Sequence, residues 1–320
     1  MKILMLGGTS FVGRAIVEDA VAAGHEVTVF SRGKTGADLF PDLDKRIGDR
    51  ATGDYTSLEG GTWDATVDVS GYIPRHVAQA AKALGDGAGR YLFISTGSVY
   101  DKEAAGDQMT EQTPRLPAER GTEEITGETY GPLKVACEDD VLSTYGDKAT
   151  IVRPGIVAGP YDPTERFTYW VRRAARGGQV ALPGRPEQPV QVVDSRDLAR
   201  LVVQLLDDDK AGIYNAVGPG RPTTMEALIK ACAQGAGTEV EVVPVAPDAV
   251  EGGLPLLLPP DYDVMFLRAR EAADAARMPA TPLEKTAADV LAWDRERGEP
   301  QLPQDLTPER EAELIAAAKG

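Results

Sequence analysis

Apolar residues along the chain fall into short runs separated by segments of helical spacing. The runs at 3–6, 27–30, 65–69, 91–94 and 149–152 read as buried strands, being too short for buried helices and too continuous for strands with one wet face. Between them, 11–23, 74–84 and about 131–145 carry apolar residues three and four apart, with Gly or polar residues at their ends, and read as helices. Strand and helix alternate, which predicts an α/β fold with a doubly wound, Rossmann-like parallel sheet. After Arg153-Pro154 the texture changes. Residues 155–189 are rich in Gly, Pro, Arg and aromatics, and 218–260 are Pro-rich with a strand-like stretch at 239–245. They predict a smaller C-terminal α+β domain. Segments 190–193, 198–206 and 213–216 read as the chain returning to the sheet, so the sheet domain takes 1–154 plus about 189–217 and the second domain about 155–188 and 218–320. Residues 285–297 and 307–319 are helical by composition, the latter with Pro308 in its first turn.

Charge narrows the range of partners. The 34 Lys and Arg against 50 Asp and Glu leave −16, and the excess is even: 16 against 24 in residues 1–160 and 18 against 26 in 161–320. Such a field repels phosphate backbones, so no nucleic-acid partner is expected. Two cysteines, Cys137 and Cys232, and two histidines, His25 and His76, cannot build a Cys/His metal cluster or a disulfide framework, which fits a reducing compartment. The apolar start is broken by Gly7-Gly8 and reads as a strand rather than a leader. No run approaches the roughly 18 apolar residues of a membrane span. A cytoplasmic protein with no membrane partner is therefore expected.

Candidate chemistry begins at that break. Strand 3–6 runs into Gly7-Gly8-Thr9-Ser10-Phe11-Val12-Gly13 and then a helix, which is where glycines let a backbone approach a pyrophosphate at a helix N-terminus. Ser10 stands where the pattern's middle glycine would be, and an ordinary tight strand-to-helix turn is the plain alternative. Gly33-Lys34-Thr35 ends like a nucleoside-triphosphate loop, but the Gly needed five residues before Gly33 is Thr28, which excludes that reading. The second strand ends in Ser31-Arg32 with no acid for an adenosine ribose, a pattern that favours NADP(H), with NAD(H) the other possibility. In Gly48-Asp49-Arg50 the aspartate can reach an adenine amino group, or the three can form a generic turn; Asp49 and Arg50 are counted with the cofactor candidates.

Tyr130 and Lys134 lie four apart, on one helix face, and strand 91–94 runs into Ser95-Thr96-Gly97-Ser98-Val99-Tyr100. A phenol with an ordinary pKa near 10 needs a neighbouring cation to exchange protons at neutral pH, and Lys134 supplies one. Together with Val152-Arg153-Pro154-Gly155, Val193-Asp194-Ser195-Arg196-Asp197 and Ile213-Tyr214-Asn215, these segments resemble the extended short-chain dehydrogenase/reductase superfamily, the group of NAD-dependent epimerases and dehydratases. The resemblance spans most of the chain. It implies that Tyr130 donates or accepts the proton, that Lys134 lowers its pKa and holds the nicotinamide ribose, and that Thr96 bonds the substrate oxygen. It further implies that Ser70 and Gly71 lie against the cofactor, with Tyr72 and Ser98 on the substrate side.

Departures from the family pattern shape the expected substrate. Gly155 stands where sugar-nucleotide enzymes usually carry Asn, and Val192 where many relatives have His. The glycine turn and the Phe30-Ser31-Arg32-Gly33 ending look closer to a divergent, reductase-like branch that includes plastid RNA-binding relatives. Tyr161 to Trp170 replaces the sugar-nucleotide segment, and Arg166, Tyr169 and Trp170 are candidates to cradle a flat or carboxylated substrate; burial in an amphipathic helix is the alternative. The expectation is an NADP(H)-dependent oxidoreductase acting on a small-molecule metabolite. A nucleotide-sugar epimerase or dehydratase holding NAD tightly, and a cofactor-sensing or RNA-binding protein, are the alternatives. The oligomeric state stays open, with a homodimer as one candidate.

Overall fold

The first strand, β1 (Lys2–Leu6), buries Ile3, Leu4, Met5 and Leu6 completely, which explains its unbroken apolar sequence. In the computed structural model, which describes residues 1–219 and 222–320, β1 lies inside a seven-stranded parallel sheet. Helix α1 (Phe11–Ala22) follows the glycine turn and buries Ile16, Val17 and Ala20 at helical spacing. Strands β2 (Glu26–Ser31) and β3 (Asp44–Ile47) extend the sheet on one side of β1. On the other side lie β4 (Ala65–Asp68), β5 (Arg90–Ile94) and β6 (Ala149–Pro154), joined through α2 (Pro74–Leu84) and α3 (Tyr130–Tyr145). Val77 and Ala80 of α2 and Cys137 and Val141 of α3 pack with Leu4, Leu6 and Phe93 on one sheet face.

The chain then enters its second unit with β7 (Ile156–Ala158), α4 (Arg166–Ala175), β8 (Gly178–Pro183), β9 (Pro189–Val190) and β10 (Val192–Asp194). It returns to the first through α5 (Ser195–Asp207), which packs on α1, and β11 (Gly212–Ala216), which pairs with β6. The sheet order is β11-β6-β5-β4-β1-β2-β3, so the winding reverses between β1 and β4, the switch point at whose carboxyl end such sheets take their ligands. The doubly wound α/β fold is as expected from the sequence.

The second unit also holds β12 (Thr223–Thr224), α6 (Met225–Ala236) and β13 (Val240–Val245). After α7 (Glu271–Ala275), which belongs to the first unit, it is completed by α8 (Leu283–Glu296) and α9 (Pro308–Lys319). Its own core joins Phe167 and Trp170 of α4 with Leu228, Val290 and Leu314 from α6, α8 and α9.

The units are residues 1–155, 195–217 and 269–279, and residues 156–194, 218–268 and 280–320. Two differences from the sequence-based division have local causes. Residues 189–194 pair with β12 and β7 inside the second unit rather than with the large sheet. Residues 269–279 join the first unit because the Ala269 amide donates to the Met109 carbonyl at 2.8 Å and Arg270 Nη1 to the Val217 carbonyl at 3.2 Å.

Candidate active site

The glycine turn is built by steric necessity. Gly7 and Gly8 adopt φ of +108° and +110°, and a Cβ on Gly13 would stand 2.8 Å from the Gly8 amide nitrogen. Helix α1 therefore starts hard against the end of β1. Ser10 at its N-cap makes no side-chain capping bond, and its first turn carries no acid, so nothing of its own competes with an anion there. Thr9 and Val12 flank the turn, Thr9 half-buried and Val12 beside it at the start of the helix, and Phe11 opens the helix at a φ of +37°. These features fit the pyrophosphate of a dinucleotide. Gly13→Ala should weaken dinucleotide binding by at least tenfold, read by nicotinamide fluorescence, because the added methyl forces helix and turn apart; unchanged affinity would mean that the turn holds no pyrophosphate.

At the end of β2, Ser31 Oγ accepts the Gly33 amide at 3.2 Å, and Arg32 is exposed with no hydrogen bond or ion pair to any described residue. Asp49 is turned into its own loop, where its carboxylate accepts the Ala51 amide at 3.0 Å. That is the generic-turn alternative, and it leaves the adenine role without geometric support. Arg50 needs a correction: its side chain points inward, where it grips Asp68 with Nη1 and Nη2 at 2.5 and 2.8 Å and also reaches Ser70 Oγ and the His76 carbonyl. Burial and its full set of acceptors keep it from a cofactor phosphate.

On α3, Tyr130, Lys134 and Glu138 form one stripe at intervals of four. Lys134 is 2 % exposed, and its Nζ donates to the carbonyls of Ile94 and Gly71, each at 2.8 Å, with the Phe93 ring centroid 4.0 Å away. The lysine thereby ties α3 to the ends of β5 and β4. Burial pulls its pKa down to about 8, since no carboxylate touches it. Thr96 caps the turn after β5, its Oγ1 accepting the Ser98 amide at 3.1 Å and standing 3.2 Å from the Ser98 hydroxyl. Gly131 lets the start of α3 meet that turn, for a Cβ there would come within 2.3 Å of the Ser98 carbonyl oxygen. Tyr130, half-buried, is thus held beside the Thr96–Ser98 turn by its own neighbour. Tyr72 is 45 % exposed, with Lys134 Nζ 5.8 Å from its ring centroid.

Sequence reasoning missed what anchors this arrangement. Glu138, fully buried, accepts Ser95 Oγ at 2.6 Å, Arg153 Nε and Nη2 at 2.9 and 2.7 Å, and Arg115 Nη1 at 3.0 Å. Arg153 passes the network to the Tyr100 hydroxyl, which donates to Asn215 Oδ1 at 2.6 Å. The ends of β5, β6 and β11 are so locked to α3. The extension of the 130/134 stripe to Glu138 was the available signal.

In the second unit, Tyr169 and Trp170 are 4 % and 0 % exposed, pack edge-to-face, and the indole donates to the Pro255 carbonyl at 2.8 Å. They are core residues, so their proposed contact with substrate is withdrawn; an apolar helix face gained more by burial than by waiting for a ligand. Arg166 is half-buried and donates to Thr164 Oγ1 at 3.1 Å.

The profile of the NAD dependent epimerase/dehydratase family matches residues 3–217. The chain is 29% identical over 273 residues to the Chloroplast stem-loop binding protein of 41 kDa b of Arabidopsis thaliana, covering 79% of this chain and 68% of that protein. It is 24% identical over 230 residues to the Bifunctional pinoresinol-lariciresinol reductase 2 of Linum usitatissimum, covering 65% of this chain and 63% of that one. Among solved structures it resembles the UDP-glucose 4-epimerase of Thermus thermophilus in complex with NAD, at a TM-score of 0.65 and 21% identity over 94% of this chain and 100% of that one.

Proposed function

The chain belongs to the NAD dependent epimerase/dehydratase family, and from that premise we propose that it is an NADP(H)-dependent oxidoreductase moving a hydride to or from a carbonyl or alcohol of a small metabolite. The observation that carries this reading is the pinned Tyr130–Lys134 face beside the Thr96 turn, at the sheet's carboxyl edge. Gly7, Gly8 and Gly13 with the start of α1 would hold the pyrophosphate, Lys134 the nicotinamide ribose, and Ser31 and Arg32 the adenosine 2′-phosphate. Bound there, the nicotinamide supplies the hydride acceptor or donor. The protein's part is the proton: Tyr130 O–H exchanges it with the substrate oxygen, which Thr96 orients. The Lys134 ammonium, one turn along the same helix face, would favour the Tyr130 phenolate by its positive charge.

Support for NADP(H) is the missing acid at the end of β2 and the exposed, unpaired Arg32. Arg32→Ala should raise the dissociation constant for NADPH by roughly 10–100-fold, the worth of one charge-assisted hydrogen bond, and barely change that for NADH. Equal effects on both would show that Arg32 does not read the phosphate. The nucleotide-sugar reading is favoured by the structural likeness to an epimerase and opposed by Gly155. Co-purified, tightly held NAD would decide for it. A relative named for stem-loop binding keeps an RNA reading in play, against a net charge of −16. Titration with NADPH, NADH and a stem-loop RNA, followed by fluorescence and thermal shift, separates the three.

A further inference from the structure

Arg50 spends a buried guanidinium on the protein's own interior, and where its bonds go is informative. Its Nη1 reaches Asp68 Oδ1 and Ser70 Oγ, the latter at 2.9 Å; its Nη2 reaches Asp68 Oδ2 and the His76 carbonyl at 3.0 Å; its Nε reaches the Tyr55 hydroxyl at 3.2 Å. Asp68 closes the knot from the end of β4, accepting also the Tyr91 hydroxyl at 2.8 Å and the Ser70 amide at 3.0 Å. Burial alone pushes the Asp68 carboxyl up, but Arg50, Tyr91 and the Ser70 amide hold it below the ordinary aspartate value.

A buried ion pair adds little net stability over a well-packed apolar pair, so fixed geometry is its better explanation. The geometry fixed here is that of residues 69–71. Ser70 Oγ donates to the Leu6 carbonyl at 2.9 Å, directly before the glycine turn, and a Cβ on Gly7 would come within 2.5 Å of Val69 Cγ2. One residue on, the Gly71 carbonyl accepts Lys134 Nζ at 2.8 Å. The loop is thus bonded to the phosphate-binding turn at one end and to the active-site lysine at the other, with Arg50 fastening its middle from behind.

We infer that Arg50 is a positioning residue for the dinucleotide, acting through Ser70 to set the spacing between the glycine turn and the loop that holds Lys134. The inference rests on the proposed cofactor site. Because the knot bonds neither Ser31 nor Arg32, the residues proposed to read the 2′-phosphate, it governs NADPH and NADH alike.

The test measures dissociation constants for NADPH and NADH by nicotinamide fluorescence, with melting temperatures, for wild type, Arg50→Lys, Ser70→Ala, the double variant and Ser70→Thr. Lysine keeps a cation for Asp68 but lacks the fork that spans Ser70 and His76. Arg50→Lys and Ser70→Ala should each weaken both dinucleotides by the same factor, roughly tenfold. The double variant should be no weaker than either single one, because both break one path. Ser70→Thr, which keeps the hydroxyl, should restore affinity, an outcome that a merely structural loss would not give. Ser70→Ala deletes one oxygen, so it answers even where Arg50→Lys does not fold. Unchanged affinity in Ser70→Ala, or full additivity in the double variant, overturns the inference. A wild type that binds neither dinucleotide overturns the proposed function itself, and this inference with it.

Discussion

Tyr130→Phe should lower kcat by about 10²–10⁴-fold, the usual worth of a placed general acid or base, while leaving cofactor affinity near that of the wild type. The change removes one oxygen from a residue that Gly131 holds against the Thr96 turn, so the helix and its lysine stay in place. Steady-state turnover of the first substrate found, beside a fluorescence titration with NADPH, checks both halves. Near-normal kcat would remove Tyr130 from the mechanism. Lys134→Met should cost both turnover and cofactor binding, because it also strips the Ile94 and Gly71 carbonyls of their shared donor. That variant carries a pH signature. Burial sets the folded lysine at about 8, below its ordinary 10.5. Between those values the unfolded chain holds a proton that the folded chain has released, so this residue's contribution to stability rises with pH there. Urea denaturation from pH 8 to 10 should show that rise in wild type and lose it in Lys134→Met.

Glu138→Ala should destabilise the first unit by about 3–5 kcal/mol, the largest effect on stability expected of any single change here. Arg153 is 1 % exposed and Arg115 donates into the same carboxylate, so removing Glu138 leaves one guanidinium buried without its charge partner and weakens the hold on the other. Equilibrium urea unfolding at neutral pH measures the loss. A cost below about 1 kcal/mol would mean that the network relaxes around the gap and does not anchor α3.

The large sheet could be read ahead of the structure because strands buried on both faces leave short apolar runs, and the helices between them bury one stripe each. Tyr130, Lys134 and the glycine turn were legible for a related reason: their spacing states their geometry. Side-chain direction was not legible. Arg50 follows β3 at a place that suits a ligand, yet a carboxylate from β4 draws it inward, and no local pattern encodes that. Trp170 shares a helix with arginines, and only the tertiary core decides which face turns in. Helix α6 escaped notice for another reason, being a regular apolar helix set among prolines whose punctuation masked it. Residues 269–279 could not be assigned to the first unit because backbone bonds such as that from Ala269 to Met109 leave no trace in composition.

The first unit is assembled from three separated stretches of chain, and β11 pairs with β6 only after some sixty intervening residues, most of them belonging to the other unit. During synthesis, strand β6 therefore emerges with its outer edge open, and α1 waits without its partner α5. An unpaired strand edge is a template for wrong partners. A ribosome-bound chain stopped near residue 160 should bind a trigger-type chaperone and resist refolding, whereas one released past residue 280 should not. The cofactor half is thus not a detachable cassette: its last strand is delivered only after residues 156–194, the first stretch of its neighbour, have been made.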